Sequence, residues 1–236
     1  MNGFMGEFVG TALLIIMGDG VVANVILNKT KGNNSGWIVI TFGWAMAVFM
    51  GVYISNKLGG GGHLNPAVTI ALAAFKDFDT ALVFPYIGGQ LAGAFAGAVI
   101  VWLAYKQHFD ETGDKDIKLA VFCTAPAIRH SGYNLLTEIT GAAVLMFAAL
   151  AISPSATSLG TLDALPVSLV VLGIGMSLGG PTGYAINPAR DLGPRLAHFI
   201  LPIKNKRDSD WGYSWVPVIG PVAGAILAAW LFSFTN

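Results

Sequence analysis

Asn65-Pro66-Ala67 recurs as Asn187-Pro188-Ala189, about 120 residues further along the chain. Each copy opens an apolar run: Val68 to Phe75 after the first, and through Leu192 and Leu196 to Phe199 after the second. A helix of about ten residues rises ~15 Å, half of a ~30 Å hydrocarbon core, so neither run crosses a membrane alone. Asn is a favoured N-cap, and Pro suits the first helical position, where its missing N–H costs nothing. An Asn oxygen that caps its own helix leaves the side-chain NH2 free to point away from it. Two half-helices meeting tip to tip at mid-membrane then place two amide donors and two positive helix ends at one spot. Such a pore suits neutral, hydrogen-bonding solutes.

Composition points the same way. The chain has 236 residues, 54% of them hydrophobic and only 11% charged, against about 25% charged in an average soluble domain. Charge is absent from Ala81 to Leu103, Ile139 to Ser153, Leu165 to Ala189 and Trp211 to Asn236. Several of these windows reach the ~20 residues of a spanning helix, which makes this a polytopic membrane protein. The net charge of zero gives no reason to expect nucleic acid as a partner. Cys123 is the single cysteine; it excludes an internal disulfide and reads as a quiet thiol in a loop. Glu7 interrupts any signal-peptide core, so the first segment reads as a retained helix.

Taken in order, the first helix is predicted over Gly3 to Leu27 and the second over Trp37 to Asn56. Gly59-Gly60-Gly61-Gly62 then lets the chain re-enter the bilayer before the half-helix from Asn65 to Phe75. After the turn Lys76-Asp77-Phe78-Asp79 comes a third helix, Ala81 to Tyr105, and then a long hydrophilic connection over 106–132. A fourth helix runs from Tyr133 to Ile152, followed by a Ser/Thr/Gly-rich linker from Ser153 to Ala164. The fifth covers Leu165 to Leu178, the second half-helix starts at Asn187, and the last helix covers Trp215 to Phe234.

The halves echo one another. Glu7-Phe-Val-Gly10 matches Glu138-Ile-Thr-Gly141, and Gly89-Gln-Leu-Ala-Gly93-Ala94 matches Gly220-Pro-Val-Ala-Gly224-Ala225. Each half has three spanning segments, an odd number, so the second copy enters the membrane upside down. The expected fold is an all-α membrane protein of six transmembrane helices plus two re-entrant half-helices in an inverted repeat. It forms one domain over 1–236, with repeats of about 1–106 and 133–236 joined by loop 107–132.

Several polar residues stand out in this apolar background. Arg190 follows the second motif directly, and an intramembrane Arg costs roughly 2.5–3.5 kcal/mol or more, so it normally faces a cavity. It lines the pore, donating to solute hydroxyls and repelling cations, or it forms a purely structural ion pair with Asp191. Glu7 and Glu138, at matching positions, read as braces that accept N–H groups of the loops before each half-helix; a proton relay is the alternative. Asp19 has no counterpart in the second repeat and lies near a pore mouth or at the membrane interface. His63 reads as a loop residue bonded to backbone, and His198 as interfacial. The four histidines and one cysteine have no metal-ligand spacing, and no nucleophile or nucleotide motif is present.

Gly62-His63-Leu64-Asn65-Pro66-Ala67-Val68-Thr69 and Gly183-Tyr184-Ala185-Ile186-Asn187-Pro188-Ala189-Arg190-Asp191 resemble the major intrinsic protein (aquaporin) family. The resemblance covers essentially the whole chain, and Leu64 and Asp191 look like its glycerol-facilitator branch. It implies one pore per subunit, a homotetramer, cytoplasmic termini and a multi-pass location in the cell membrane, among lipid. By contrast, a count of Lys and Arg in the loops places the termini outside. In that branch the narrowest point takes one residue from each of the second and fifth helices, one from the loop before the second motif, and the Arg. Here these are Trp44, Gly175, Tyr184 and Arg190, with Phe42 as the substitute for Trp44. A bare Gly175 leaves room where a His would suit a water-selective pore.

The expected activity is therefore passive diffusion of glycerol, with water also passing and ions and protons excluded. Urea, dihydroxyacetone, peroxide and small undissociated acids are further candidate solutes. No catalysis, cofactor or energy coupling is expected. A water-selective pore is the alternative within the channel class. A proton-coupled transporter, with Asp19 as its exchangeable acid, and an integral membrane enzyme are the alternatives outside it.

Overall fold

Close helix contact in this protein begins with glycine. A Cβ on Gly93 would lie 2.2 Å from the Phe8 carbonyl oxygen, and one on Gly224 would lie 2.2 Å from that of Ile139. Phe8 and Ile139 follow the matching Glu7 and Glu138, so the two halves repeat the same backbone-to-backbone crossing. Small residues at such a crossing gain dispersion contacts that a side chain would block, which is the main attraction between helices in lipid.

The computed structural model describes residues 3–75, 78–152 and 162–235. Lys76 and Asp77 of the expected turn, and residues 153–161 of the expected linker, lie outside them. Among the described residues every regular element is helical. The first half contains α1 (Phe4–Ile26), α2 (Trp37–Lys57), the short α3 (Pro66–Phe75) and α4 (Val83–Ala104), which a turn of 3-10 helix (Thr80–Leu82) precedes. The second half contains α7 (Ser131–Ile152), α8 (Leu165–Leu178), the short α9 (Pro188–Ile200) and α10 (Val216–Phe232). Between them, the connection expected to be loop carries two small helices, α5 (Lys106–Glu111) and α6 (Lys115–Phe122). Asp114 caps α6 through the N–H groups of Asp116 and Ile117, and Leu119, Val121 and Phe122 are buried under it.

Four spans, α1, α2, α4 with its 3-10 turn, and α7, are long and apolar enough to cross a membrane. The helices α8 and α10 are shorter, 14 and 17 residues, or ~21 and ~26 Å of rise. Their paths continue as non-helical chain: Gly179 to Thr182 after α8, and the turns Trp211 to Trp215 before α10.

Packing interlocks the halves. The helix α1 lies against α2 and α4, and α7 lies against α8 and α10. Each half-helix crosses over: α3 packs on α10 and α9 packs on α4. On the side of the chain that holds α5 and α6, ion pairs tie loops together: Lys29 with Glu111, Arg129 with Asp210, and Arg207 with Asp116. The hydrogen bond from Lys29 holds the Glu111 carboxyl below the usual carboxylate range.

Candidate functional site

The tips of α3 and α9 are built alike. The side-chain oxygen of Asn65 accepts the N–H of Ala67 at 2.9 Å. That of Asn187 accepts those of Ala189 at 2.9 Å and Arg190 at 3.2 Å. These bonds satisfy donors that every helix start leaves open. The amide nitrogens then cross between halves. Asn65 Nδ2 donates to the Ile186 carbonyl at 2.8 Å, and Asn187 Nδ2 donates to the Leu64 carbonyl at 2.7 Å. Both amides point away from their own helices; one hydrogen of each binds the opposite loop, and an NH2 group has a second to offer. Pro66, Ala67, Pro188 and Ala189 are buried beside them as the first turns of the half-helices.

The accepting carbonyls point across because their residues are strained. Leu64 has φ 51° and Ile186 has φ 45°. A bulky or β-branched residue in the left-handed region is an outlier that costs roughly 1–3 kcal/mol and persists only when its surroundings impose it. The surroundings here are two buried carboxylates. Glu7 Oε1 accepts His63 N at 3.1 Å and Ser55 Oγ at 2.9 Å, and Oε2 accepts Leu64 N and Gln90 Nε2, both at 2.7 Å. Glu138 Oε1 accepts Thr182 Oγ1 at 2.6 Å and Ala185 N at 3.0 Å, and Oε2 accepts Ile186 N at 2.8 Å. The bracing geometry expected of Glu7 and Glu138 is present, with hydroxyl partners and Gln90 that the sequence reading missed.

A cavity of about 250 Å³ runs along these tips. Asn65, Asn187, His63, Trp44, Tyr184 and Arg190 share its wall with Leu14, Val48, Val68, Leu145 and Val171. One part of the wall can hydrogen-bond and the remainder is apolar. The Arg190 guanidinium stacks over the Trp44 ring, 4.2 Å from its centroid, and Nη1 donates to the Phe122 carbonyl at 3.3 Å. The Trp44 ring also rests on α1, where a Cβ on Gly18 would meet it at 2.3 Å. Phe42, the substitute for Trp44, is 54% exposed and away from the cavity.

Gly175 differs from expectation. It does not line the cavity; the space it frees is filled by Tyr184, since a Cβ there would sit 2.8 Å from the phenol ring. Trp37 fixes this corner by donating Nε1 to the Gly175 carbonyl at 2.9 Å and packing edge-on to Tyr184.

Asp191 is not the partner of Arg190. Its carboxylate takes Arg195 at 2.7 and 3.0 Å and the backbone and hydroxyl of Thr124 at 2.9 and 2.7 Å. Arg195, four residues on, is fully buried, and its remaining donors reach the carbonyls of Ser209, Asp210 and Thr124. The sequence carried a signal for this pair, opposite charges at helical spacing. Arg190 instead has Asp19 at 3.7 Å, fully buried on α1. His63 bonds a side chain as well as its backbone brace: Nδ1 lies 3.0 Å from Thr69 Oγ1, and its ring packs with Phe78 and Tyr86. His198, expected at the interface, is buried with Nδ1 2.8 Å from Ser209 Oγ. Cys123 is a free thiol, as expected, and buried just past α6.

Comparison with known proteins matches this geometry to one family. Residues 1–232 match the family described as "Major intrinsic protein". A "Probable glycerol uptake facilitator protein" of Thermotoga maritima is 58% identical over 234 residues, 99% of each chain. A "Glycerol uptake facilitator protein" of Streptococcus pneumoniae is 52% identical over 235 residues, again 99% of each. The X-ray structure of the aquaglyceroporin from Plasmodium falciparum superposes with a TM-score of 0.87 at 32% identity, covering 98% of this chain and 95% of that one. The half-helices, their crossed asparagines and the sequence match agree, and the chain belongs to the major intrinsic protein family.

Proposed function

We propose that this protein is a passive channel for glycerol and other small uncharged solutes, with water also passing and with ions and protons excluded. The observation that carries this reading is a single cavity wall shared by Asn65, Asn187, Arg190, Trp44 and Tyr184, continued by aliphatic side chains. A polyol has a hydroxyl edge and a carbon edge, and such a wall meets both. The relatives named as glycerol uptake facilitators support the choice of solute. Channels of this family are not enzymes, and this one is a multi-pass protein of the cell membrane.

The residues act as follows. Arg190 has five N–H donors, of which one is bound by the Phe122 carbonyl; donors on Nε and Nη2 receive passing hydroxyls. Trp44 and Tyr184 bear on the carbon side. The second amide hydrogens of Asn65 and Asn187 hold solute oxygens at mid-pore, so a hydrogen-bonded solute file is reoriented there. The positive ends of α3 and α9 meet at the same point and repel cations, including hydronium. Glu7, Glu138, Asp191 and His63 hold the loops that carry these donors. The channel is one domain over 1–236, with inverted repeats of about 1–106 and 133–236 joined by 107–132. It assembles as a homotetramer in lipid with a pore in each subunit. Urea, dihydroxyacetone, peroxide and small undissociated acids are further solutes of the right size and charge.

Stopped-flow light scattering on proteoliposomes tests the reading. After an inward glycerol gradient, vesicles shrink and then reswell rapidly, whereas a sucrose gradient gives shrinkage alone. Fast shrinkage in both with slow reswelling would make this a water pore and overturn the solute assignment.

A further inference from the structure

Asp19 is the buried carboxylate of the spanning helices that no N–H or O–H group reaches among the described residues. It has no exposed surface, and neither oxygen has a hydrogen-bond partner. The carboxylates of Glu7, Glu138 and Asp191 are all bonded. An isolated charge in such surroundings is costly unless a countercharge is close. For Asp19 that countercharge is Arg190, whose Nη1 lies 3.7 Å from Oδ1. Asp191, next to Arg190 in sequence, cannot serve, because Arg195 and Thr124 occupy both of its oxygens.

The repeat supplies an internal control. In the register that matches Glu7 to Glu138, Asp19 corresponds to Leu150; in the register that matches Asn65 to Asn187, Arg190 corresponds to Val68. Leu150 and Val68 belong to one apolar cluster. The corresponding positions thus hold aliphatic side chains in one half and an ion pair in the other. Both members of the pair break the symmetry together, so the acid and the arginine act as a unit.

We propose that Asp19 is the countercharge of the filter arginine, a positioning residue that holds Nη1 of Arg190 against the wall and brings the formal charge of the constriction to zero. This rests on the reading of Arg190 as a filter residue. Asp19 and the Phe122 carbonyl both engage Nη1, which leaves Nε and Nη2 for the solute. Cation exclusion then belongs to the balanced pair and the two helix ends, not to the guanidinium alone. Removing the arginine by itself would leave a bare carboxylate beside the pore, and a bare carboxylate draws cations in.

The test is a double-mutant cycle in proteoliposomes, with potassium and nitrate leak measured alongside glycerol and water flux. Arg190→Val should raise potassium leak about tenfold, and adding Asp19→Leu, which installs the aliphatic pair of the other half, should remove most of that rise. Asp19→Asn alone should turn the residual leak towards nitrate, a change of ionic sign that lost packing would not produce. Equal potassium leak in Arg190→Val and the double variant overturns the countercharge proposal while Arg190 keeps its place in the filter. No leak in Arg190→Val overturns the countercharge proposal, and unchanged glycerol flux in the same variant overturns the filter role of Arg190. Where the double variant does not yield folded protein, judged by water flux, Asp19→Asn decides: unchanged ion selectivity refutes the proposal.

Discussion

The ring of Tyr184 occupies the volume that a side chain on Gly175 would need: a Cβ there would lie 2.8 Å from Cζ and 3.0 Å from the phenol oxygen. Tyr184 is itself held at φ 40°, a strained conformation, so its ring has one place to go and Gly175 provides it. Gly175→Ala should therefore act on the pore through Tyr184, pushing the ring towards the cavity. Glycerol flux should fall several-fold and water flux less, and Gly175→His should widen the difference. Stopped-flow measurement of both solutes checks this; restored glycerol flux in Gly175→Ala/Tyr184→Leu would locate the effect in the displaced ring.

Replacing Asn187 removes two things at once, the cap on Ala189 and Arg190 and the donor to the Leu64 carbonyl. Loss of an N-cap costs about 1 kcal/mol, and a buried carbonyl left without a donor adds about 1–3. Asn187→Ala should lower stability by about 2–4 kcal/mol by that sum, and it should slow glycerol as Leu64 loses its anchor. Thermal unfolding in detergent and flux in vesicles are the measurements. Asn65→Ala, which loses one backbone cap, should unfold at a higher temperature than Asn187→Ala.

The braces make a chemical prediction. Each carboxylate accepts neighbouring backbone N–H groups, one on each oxygen. Glu7→Gln or Glu138→Gln keeps the shape but points an NH2 at one of those N–H groups, so donor faces donor. Hydrogen bonds to charged groups are worth about 1.5–3 kcal/mol, and the lost bond adds to the penalty for a buried unpaired donor. Both variants should give less folded protein and little glycerol flux. Wild-type flux in either would show that the loop holds itself.

Arg195 uses every arm of its guanidinium, on Asp191, Ser209, Asp210 and Thr124. Lysine offers a point charge with three donors and cannot reproduce that fork. Arg195→Lys should destabilise by about 1.5–3 kcal/mol, the worth of a hydrogen bond to a charged group, because the charge stays while part of the fork is lost. It should also alter ion exclusion, since a released Asp191 carboxylate competes for Arg190. Unfolding temperature and potassium leak, read together, check both halves of the statement.

Much of this fold was legible in the sequence because lipid makes the rules simple. Apolar length gave the spans, and the predicted fifth helix, Leu165 to Leu178, matches α8 at both ends. The capping chemistry of Asn and Pro gave the half-helices. The helices α5 and α6 were missed because their composition is polar, although Asp114 in front of α6 was a readable cap. Trp44, Tyr184 and Arg190, singled out from the sequence, share one cavity wall. Asp19 could not be placed, because its partner stands in the other half of the chain and only the fold makes them neighbours. The neighbours of His198 and Gly175 were hidden for a related reason. Sequence position gives depth in the membrane, but not what a side chain meets sideways.

The crossed amides also bear on how the protein is made. The Leu64 carbonyl waits for Asn187, the Ile186 carbonyl waits for Asn65, and α3 rests on α10, which is translated well after it. Chains emerge from the amino end, and units ordinarily fold in that order. Here the turn of the first loop lacks its partners until Asn187 and α10 have followed. Completion of the early half thus depends on the later half. A deletion in α10 would be felt at the first asparagine, and a chain halted midway would hold the Leu64 carbonyl and the Asn65 amide without their partners.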